Sequence, residues 1–405
     1  MPRVVLVTGK GGVGKTTTAA ATAVRAARSG LRTLVMSTDA AHSLGDALDV
    51  DLRTAVTWRD SHEVETRLHA LAVGPHTAVE ADWRVVRDYL LGALDAMGVD
   101  PVVADELTSL PGAEEVATLA ALAHQADSGD WDLVVVDCAP TAETLRLLGL
   151  PEVLGWHLDR LLPAQRRLLT VLRPAATAAT GVPPPGPDVL AVLRAWRELM
   201  VEVRTLLTSP RASVRVVLTP ERVVIAESRR VLTSLSLHGY AVDAVVVNRV
   251  LPPGPVGDED PWWSAWTTAQ AAGLDRVRES FSGIPLLRAP YLSGEPIGAQ
   301  ALAELAEATS GDAAPDLMAD VDVPRTRVAA DGADFVLTLP LPLVSASQVA
   351  LSRRDDDLVV EVEGQRRLVT LPSVLRRCVV QDAEVGGGEL RVRFERDEEL
   401  WASGR

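Results

Sequence analysis

The sequence predicts an α/β protein: a mostly parallel central sheet with helical insertions, followed by a small all-β sandwich at the carboxyl end. Three observations predict it. Val4-Val5-Leu6-Val7 and Leu133-Val134-Val135-Val136 are short unbroken apolar runs, as expected of parallel strands buried on both faces. Long segments between such runs carry apolar residues at helical spacing. Beyond residue 325 the pattern changes to short alternating runs divided by turn residues, the mark of antiparallel strands. The expected division is a first domain over 1–310 with helical insertions at 76–130 and 151–207, a linker over 311–324, and a second domain over 325–405.

The first apolar run leads into Gly9-Lys10-Gly11-Gly12-Val13-Gly14-Lys15-Thr16, which fits G-x-x-x-x-G-K-[ST]. Thr17 to Arg28 then reads as an alanine-rich helix stopped by Gly30. Strand, glycine loop and helix make the context of a P-loop, so the fold is expected to be that of a P-loop NTPase. Backbone N–H groups from Gly9 to Gly14, through Gly11, Gly12 and Val13, can curl around a phosphate where no Cβ interferes. The amino end of the helix, at Lys15, Thr16 and Thr17, adds about half a positive charge. Lys15 is expected to reach the β- and γ-phosphates of ATP, and the Thr16 hydroxyl to ligate Mg²⁺. Lys10 and Lys15 are the only lysines; every other basic residue is arginine. An ammonium is a compact point charge where a guanidinium is a broad fork, so the loop excludes the exchange made elsewhere.

Thr33–Ser37 is a second strand, and Asp39 follows it, where an acid can orient attacking water or cap the next helix. Leu133–Asp137 ends in an acid expected to contact Mg²⁺ through water. Ala241–Val247 is a further strand, and Asn248 at its end offers a paired donor and acceptor. The formal net charge of −15 argues against a nucleic-acid partner and against an anionic lipid surface. Two cysteines, Cys138 and Cys378, imply no disulfide framework, and no run of apolar residues is long enough to span a membrane, so the expected location is cytoplasmic.

These stretches together resemble the ArsA-type ATPases, the group of the arsenite-pump ATPase and of the ATPase that delivers tail-anchored membrane proteins. The resemblance runs over about residues 3–310 and is carried by Gly9–Thr18, Ser37–Leu44, Leu110-Pro111-Gly112 with Glu114 and Glu115, Asp137–Leu148 and Val245–Pro252. It implies that Lys10 reaches across a homodimer to the partner's ATP, that Asp39 belongs to switch I and Asp137 to switch II, that Asn248 hydrogen-bonds the adenine, and that Pro285–Pro290 flank it. Two departures stand out. Ala40 replaces the proline usual after the switch I acid, and Ala142-Glu143 replaces the usual Gly-His of switch II.

What the switch acts on is constrained by what is missing. Two cysteines in different domains cannot form a thiolate cluster for trivalent arsenic, and no C-x-x-C pair exists to join a dimer through zinc. The expected cargo is a hydrophobic client such as a membrane-protein segment. Leu90, Leu94 and Met97 share one helical stripe, Leu193, Trp196 and Met200 another, and Leu158, Leu161, Leu162, Leu168, Leu169 and Leu172 a third. Such stripes line a groove or fill a helical core. Arg173–Pro187 reads as a loop between helices. The alternatives are the energising subunit of an arsenite or anion efflux pump and, ranked last, a positioning ATPase like MinD or ParA.

In the carboxyl-terminal part, Phe335–Leu341, Gln348–Leu351, Leu358–Glu363, Arg367–Leu371, Arg376–Gln381 and Glu389–Glu395 read as strands. Leu390, Val392 and Phe394 should face one way and Arg391, Arg393 and Glu395 the other. Val336–Pro342, Leu358–Gly364 and Gly388–Phe394 resemble the α-crystallin domain of small heat-shock proteins. That resemblance implies a sandwich that pairs its edges with a client or acts as a passive cap.

Overall fold

The computed structural model describes residues 1–38, 43–52, 60–73, 77–96, 98–100, 113–155, 185–252, 260–311, 315–332 and 334–398. Asp39, Met97, Leu110-Pro111-Gly112, the Leu158–Leu172 stripe and nearly all of Arg173–Pro187 lie outside the described residues.

The central sheet takes β1 (Arg3–Thr8), β2 (Thr33–Ser37), β3 (His62–Glu65), β4 (Leu68–Ala72), β5 (Leu133–Asp137), β6 (Ala212–Leu218), β7 (Val242–Val250), β8 (Leu286–Pro290) and β9 (Ser310–Gly311). Their order is β3-β4-β2-β5-β1-β6-β7-β8-β9. Only the edge strands β3 and β9 pair antiparallel. β9 takes Gly311, the first residue expected in the linker, into the sheet.

The central strands β1, β2, β5 and β6 are buried along their whole length, which explains the unbroken apolar runs. Alternate side chains enter different cores: Val4 and Leu6 join Leu34, Met36, Val134 and Val136 on one face. Val5 and Val7 join Val35, Leu133 and Val135 on the other. Fully burying such a side chain is worth about 1.5–3 kcal/mol, so these rows fix the register. Helix α1 (Lys15–Arg28) covers the second face with Ala19, Ala20, Ala23, Val24 and Ala27, small residues that let it lie close to the strands. Helix α2 (Ser43–Leu48) packs on the same side.

The opposite side is helical. It takes α3 (Thr77–Ala96), α4 (Ala113–Asp127), a helix over 141–155 (α5), α6 (Pro187–Leu207) and α7 (Arg222–His238). Trp83 and Trp196 stack with ring centroids 6.1 Å apart, and Leu90, Leu150, Leu154 and Leu193 pack around them. The stripe Leu193–Trp196–Met200 is thus inward packing of α6 on α3 and α4, with Met200 wholly buried. Two further helices, α8 (Pro261–Ser280) and α9 (Gly298–Ala308), complete the ATPase part; α9 lies against α1.

The carboxyl-terminal module is a sandwich of two antiparallel sheets. One is ordered β10 (Arg327–Asp331), β11 (Asp334–Pro340), β16 (Glu389–Arg396), β15 (Cys378–Gly386). The other is β12 (Val349–Arg354), β13 (Asp357–Val362), β14 (Gln365–Thr370), and a short helix α10 (Ser373–Arg376) follows it. Leu390, Val392 and Phe394 are fully buried between the sheets, beside Leu337 and Leu339 of the same sheet and in one core with Leu358 and Val360 of the other. β10 carries no alternation to reveal it: all five of its residues are exposed.

Candidate nucleotide site

The register of the sheet brings the carboxyl ends of three strands to one level. Val7 of β1 and Ser37 of β2 both lie opposite Asp137 of β5. Loops that leave these ends converge on one edge, where ligands bind in open parallel sheets. The backbone stitches them together. Thr38 N–H donates to the Asp137 carbonyl at 2.9 Å, Cys138 N–H to Val7 at 3.0 Å, and Ala139 N–H to the Thr38 hydroxyl at 3.0 Å.

The glycine loop joins β1 to α1 there. Gly14 caps α1 with φ of 93°, in the left-handed region that favours glycine. A Cβ on Gly14 would stand 2.2 Å from Nδ2 of Asn248, so the position excludes any side chain. Nothing lies within 4 Å of the corresponding point on Gly11 or Gly12. The loop is therefore closed behind and open in front, the form of a cradle for an anion. Lys15 is only 9% exposed, and its Nζ donates to the Lys10 carbonyl at 3.5 Å across the loop. The Thr16 and Ser43 hydroxyls stand 3.3 Å apart. Thr16 and Asp137 therefore belong to the same edge, with an acid and a hydroxyl that suit a hard cation.

Lys10 behaves differently from Lys15. Its side chain is 40% exposed, and Nζ pairs with Glu227 of α7 at 3.6 Å. Nothing local in the sequence marks Glu227 as a neighbour of the loop.

Asn248 stands at the carboxyl end of β7, only 8% exposed. Its Nδ2 donates to the Val13 carbonyl at 2.8 Å, and its Oδ1 accepts from Arg249 N–H at 2.8 Å. The amide braces the loop and keeps one N–H and one lone pair for a ligand. A crevice of about 440 Å³ opens beside it, lined by Gly14, Thr17, Asn248, Pro290 and Tyr291 among others. Gln270 of α8 holds the chain that leaves β7 by accepting from Leu251 N–H at 2.7 Å and donating to its carbonyl. Pro285 is a correction to the sequence reading. It lies at the amino end of β8, where its carbonyl accepts from Val245 N–H, and Pro290 at the other end of β8 lines the crevice in its place. Strand direction decides which end of that stretch faces the loop. Tyr291, 55% exposed, follows Pro290 on the crevice wall, and no motif in the sequence marks it.

Cys138 follows Asp137 but is fully buried, and burial, reinforced by the Asp137 charge, pushes its thiol well above the usual range. Cys378 lies in the sandwich core. Among the described residues no group of three or more His, Cys, Asp or Glu side chains is arranged to hold a metal ion.

The cradle, the buried Lys15 and the adjoining crevice fit a nucleoside triphosphate, and the comparisons with known proteins agree. Residues 2–310 match the family of anion-transporting ATPases, and residues 332–394 match an HSP20-like domain found in ArsA. The chain is 33% identical to a putative arsenical pump-driving ATPase of Chlorobaculum tepidum, across 97% of this chain and 96% of that protein. It is 30% identical to a putative arsenical pump-driving ATPase of Aquifex aeolicus, across 96% and 99%. It is 33% identical to the ATPase GET3B of Arabidopsis thaliana, across 73% and 75%.

Proposed function

The chain belongs to the anion-transporting ATPase family of ArsA type and hydrolyses ATP; from that premise we propose that it is a nucleotide-switched homodimer that binds and releases a hydrophobic client. Two lysines of one loop with opposite surroundings carry this reading. Lys15 is buried in its own cradle, while Lys10 extends to the surface and, among the described residues, pairs with Glu227. A cation that does not serve its own loop is available to a nucleotide held by a second copy.

In this reading Gly9, Gly11, Gly12, Val13 and Gly14 present backbone N–H groups to the phosphates, and Lys15 neutralises charge as the terminal phosphoryl group leaves. Thr16 and Asp137 would hold Mg²⁺, which when bound would offset the charge on the phosphates. Asp39, outside the described residues, would orient the attacking water. Asn248 would spend its remaining N–H and lone pair on the base. The Lys10–Glu227 pair, exposed and at 3.6 Å, is worth little, and a partner's phosphates outcompete it. Converting a population from 1:99 to 99:1 takes about 5.5 kcal/mol of differential binding, which phosphate contacts shared by two subunits can provide.

The client end rests on the helical layer. α5 begins at the switch edge, and the sequence after it, outside the described residues, holds the leucine stripe Leu158–Leu172. No helix among the described residues is long and apolar enough to cross a membrane. The test is sedimentation and peptide capture with the slow-hydrolysis variant Asp39→Asn. ATP should convert monomer to dimer and change the affinity for a transmembrane peptide. An unaltered oligomeric state and affinity would overturn the proposal.

A second reading, the energising subunit of an arsenite or anion pump, is favoured by the names of the bacterial relatives. The buried thiols of Cys138 and Cys378 weigh against it. Arsenite that raises turnover would support it, and a flat response would remove it.

A further inference from the structure

The carboxyl-terminal module packs on α7 and reaches α5, the helix that begins at the catalytic edge, through Arg367. We propose that Arg367 of β14 is a positioning residue of the ATPase, acting through Glu152 on α5. The inference rests on reading residues 137–144 as the nucleotide-sensing segment.

The amino end of α5 is tied to that segment. Glu143 and Thr144 N–H both donate to the Pro140 carbonyl, and the Thr144 hydroxyl donates to the Ala139 carbonyl at 2.6 Å. Movement of the Asp137–Pro140 stretch therefore moves the first turn of α5. Beside that turn, Thr141, Ala142 and Leu145 share a crevice of about 290 Å³ with Glu227 and with Val362, Glu363 and Gln365 at the β13–β14 turn of the module. Glu227 is the residue that pairs with Lys10.

The carboxyl end of α5 is held by charge. Glu152 lies 3.2 Å from Arg204 of α6, 3.1 Å from His238 at the end of α7, and 3.7 Å from Nε of Arg367. Arg367 is nearly buried and also donates to the Leu237 carbonyl. Leu237 itself sits in the core of the sandwich, and the Thr233 hydroxyl donates to the Pro342 carbonyl at 2.9 Å, so α7 and the module form one packed body. Tyr240 completes the knot by donating to the Leu148 carbonyl of α5.

The geometry has a specific consequence. Nε of Arg367 and Oε1 of Glu152 are both buried, have no hydrogen-bond partner among the described residues, and face each other at 3.7 Å. A buried charged pair that stops short of hydrogen-bond contact has a closer arrangement available to it. A small axial shift of α5 on nucleotide binding would close or open that gap. The module would then favour one nucleotide state over another, by the difference in its contacts with Glu152 in the two states.

The test uses the full chain. Arg367→Ala should lower kcat for ATP about tenfold while KM stays within about twofold, since Arg367 lies far from the phosphate loop. Arg367→Lys should recover part of the loss. Glu152→Gln should reproduce it, and the double variant should be no slower than either single one. A merely structural Arg367 would lower the melting temperature and leave kcat at 25 °C within about twofold, which would overturn the proposal; so would losses that multiply in the double variant. If Arg367→Ala fails to fold, amide exchange in the unaltered protein decides. Residues 365–370 and 148–155 should change protection together between ADP and a slowly hydrolysed ATP analogue, and identical protection in both would overturn it. Wild-type chain that binds no ATP would instead sink the nucleotide reading itself, with Lys15→Ala as the reference for that loss.

Discussion

At the scale of single residues, the loop makes the sharpest demands. Gly14→Ala places a methyl group 2.2 Å from Asn248 Nδ2 at a φ of 93°, so Asn248 must leave Val13. The left-handed backbone alone costs about 1–2 kcal/mol. We expect calorimetry to show ATP affinity falling by tenfold or more, and an unchanged affinity would mean the loop is looser than described. Lys15→Ala should abolish turnover. Lys10→Ala should leave ATP affinity nearly intact and depress only the turnover that rises with protein concentration; a variant as active as wild type at every concentration would contradict the dimer. Asp243 offers a purely structural control. It takes two bonds from Arg215, at 2.8 and 3.3 Å, and lies 3.9 Å from the buried Arg3. Removing one partner of such a buried cluster strands the others, so Asp243→Ala should cost about 3–5 kcal/mol in denaturant unfolding.

At the scale of elements, α5 is the one whose ends do different work. Burial pushes the Glu152 carboxyl up, but His238, Arg204 and Arg367 outweigh it and hold the group below the ordinary glutamate value of 4.5. A depressed carboxyl contributes stability above its unfolded value and loses it as pH falls through its folded value. The stability gap between wild type and Glu152→Gln should therefore be full at pH 7 and close as the medium is acidified below 4.5. Thermal melts of both proteins across that range check it; a gap independent of pH would deny the ionic role. The helical layer teaches a separate lesson. Its apolar stripe on α6 was readable as a groove or as core, and Trp83 against Trp196 makes it core. A stripe reports that something covers it, not whether the cover comes from the same chain.

At the scale of the whole molecule, the two-sheet module and the ATPase share a boundary built from α7. Phe394 lies at the centre of the module's core, wholly buried. Phe394→Ala should cost about 3–5 kcal/mol by cavity formation, enough to melt the module before the nine-stranded sheet. Given the coupling through Arg367, its thermal transition should coincide with a drop in ATP turnover. Activity that survives melting of the module would separate the two parts.

Most elements and the loop chemistry are legible in the chain alone, β10 with its five exposed residues being an exception. Unbroken runs give buried parallel strands, alternation gives the sandwich at Leu390, Val392 and Phe394, and the spacing from Gly9 to Thr16 gives a phosphate cradle. These are local properties, set by side-chain period and backbone freedom over a few residues. What only the tertiary structure decided is which distant residues meet. Glu227 against Lys10, Arg367 against Glu152, and Pro290 rather than Pro285 beside Asn248 follow from strand direction and from how the two parts dock. Their separations along the chain leave no periodic trace, because contact between remote segments is fixed by packing of the whole and not by the pattern of any one stretch.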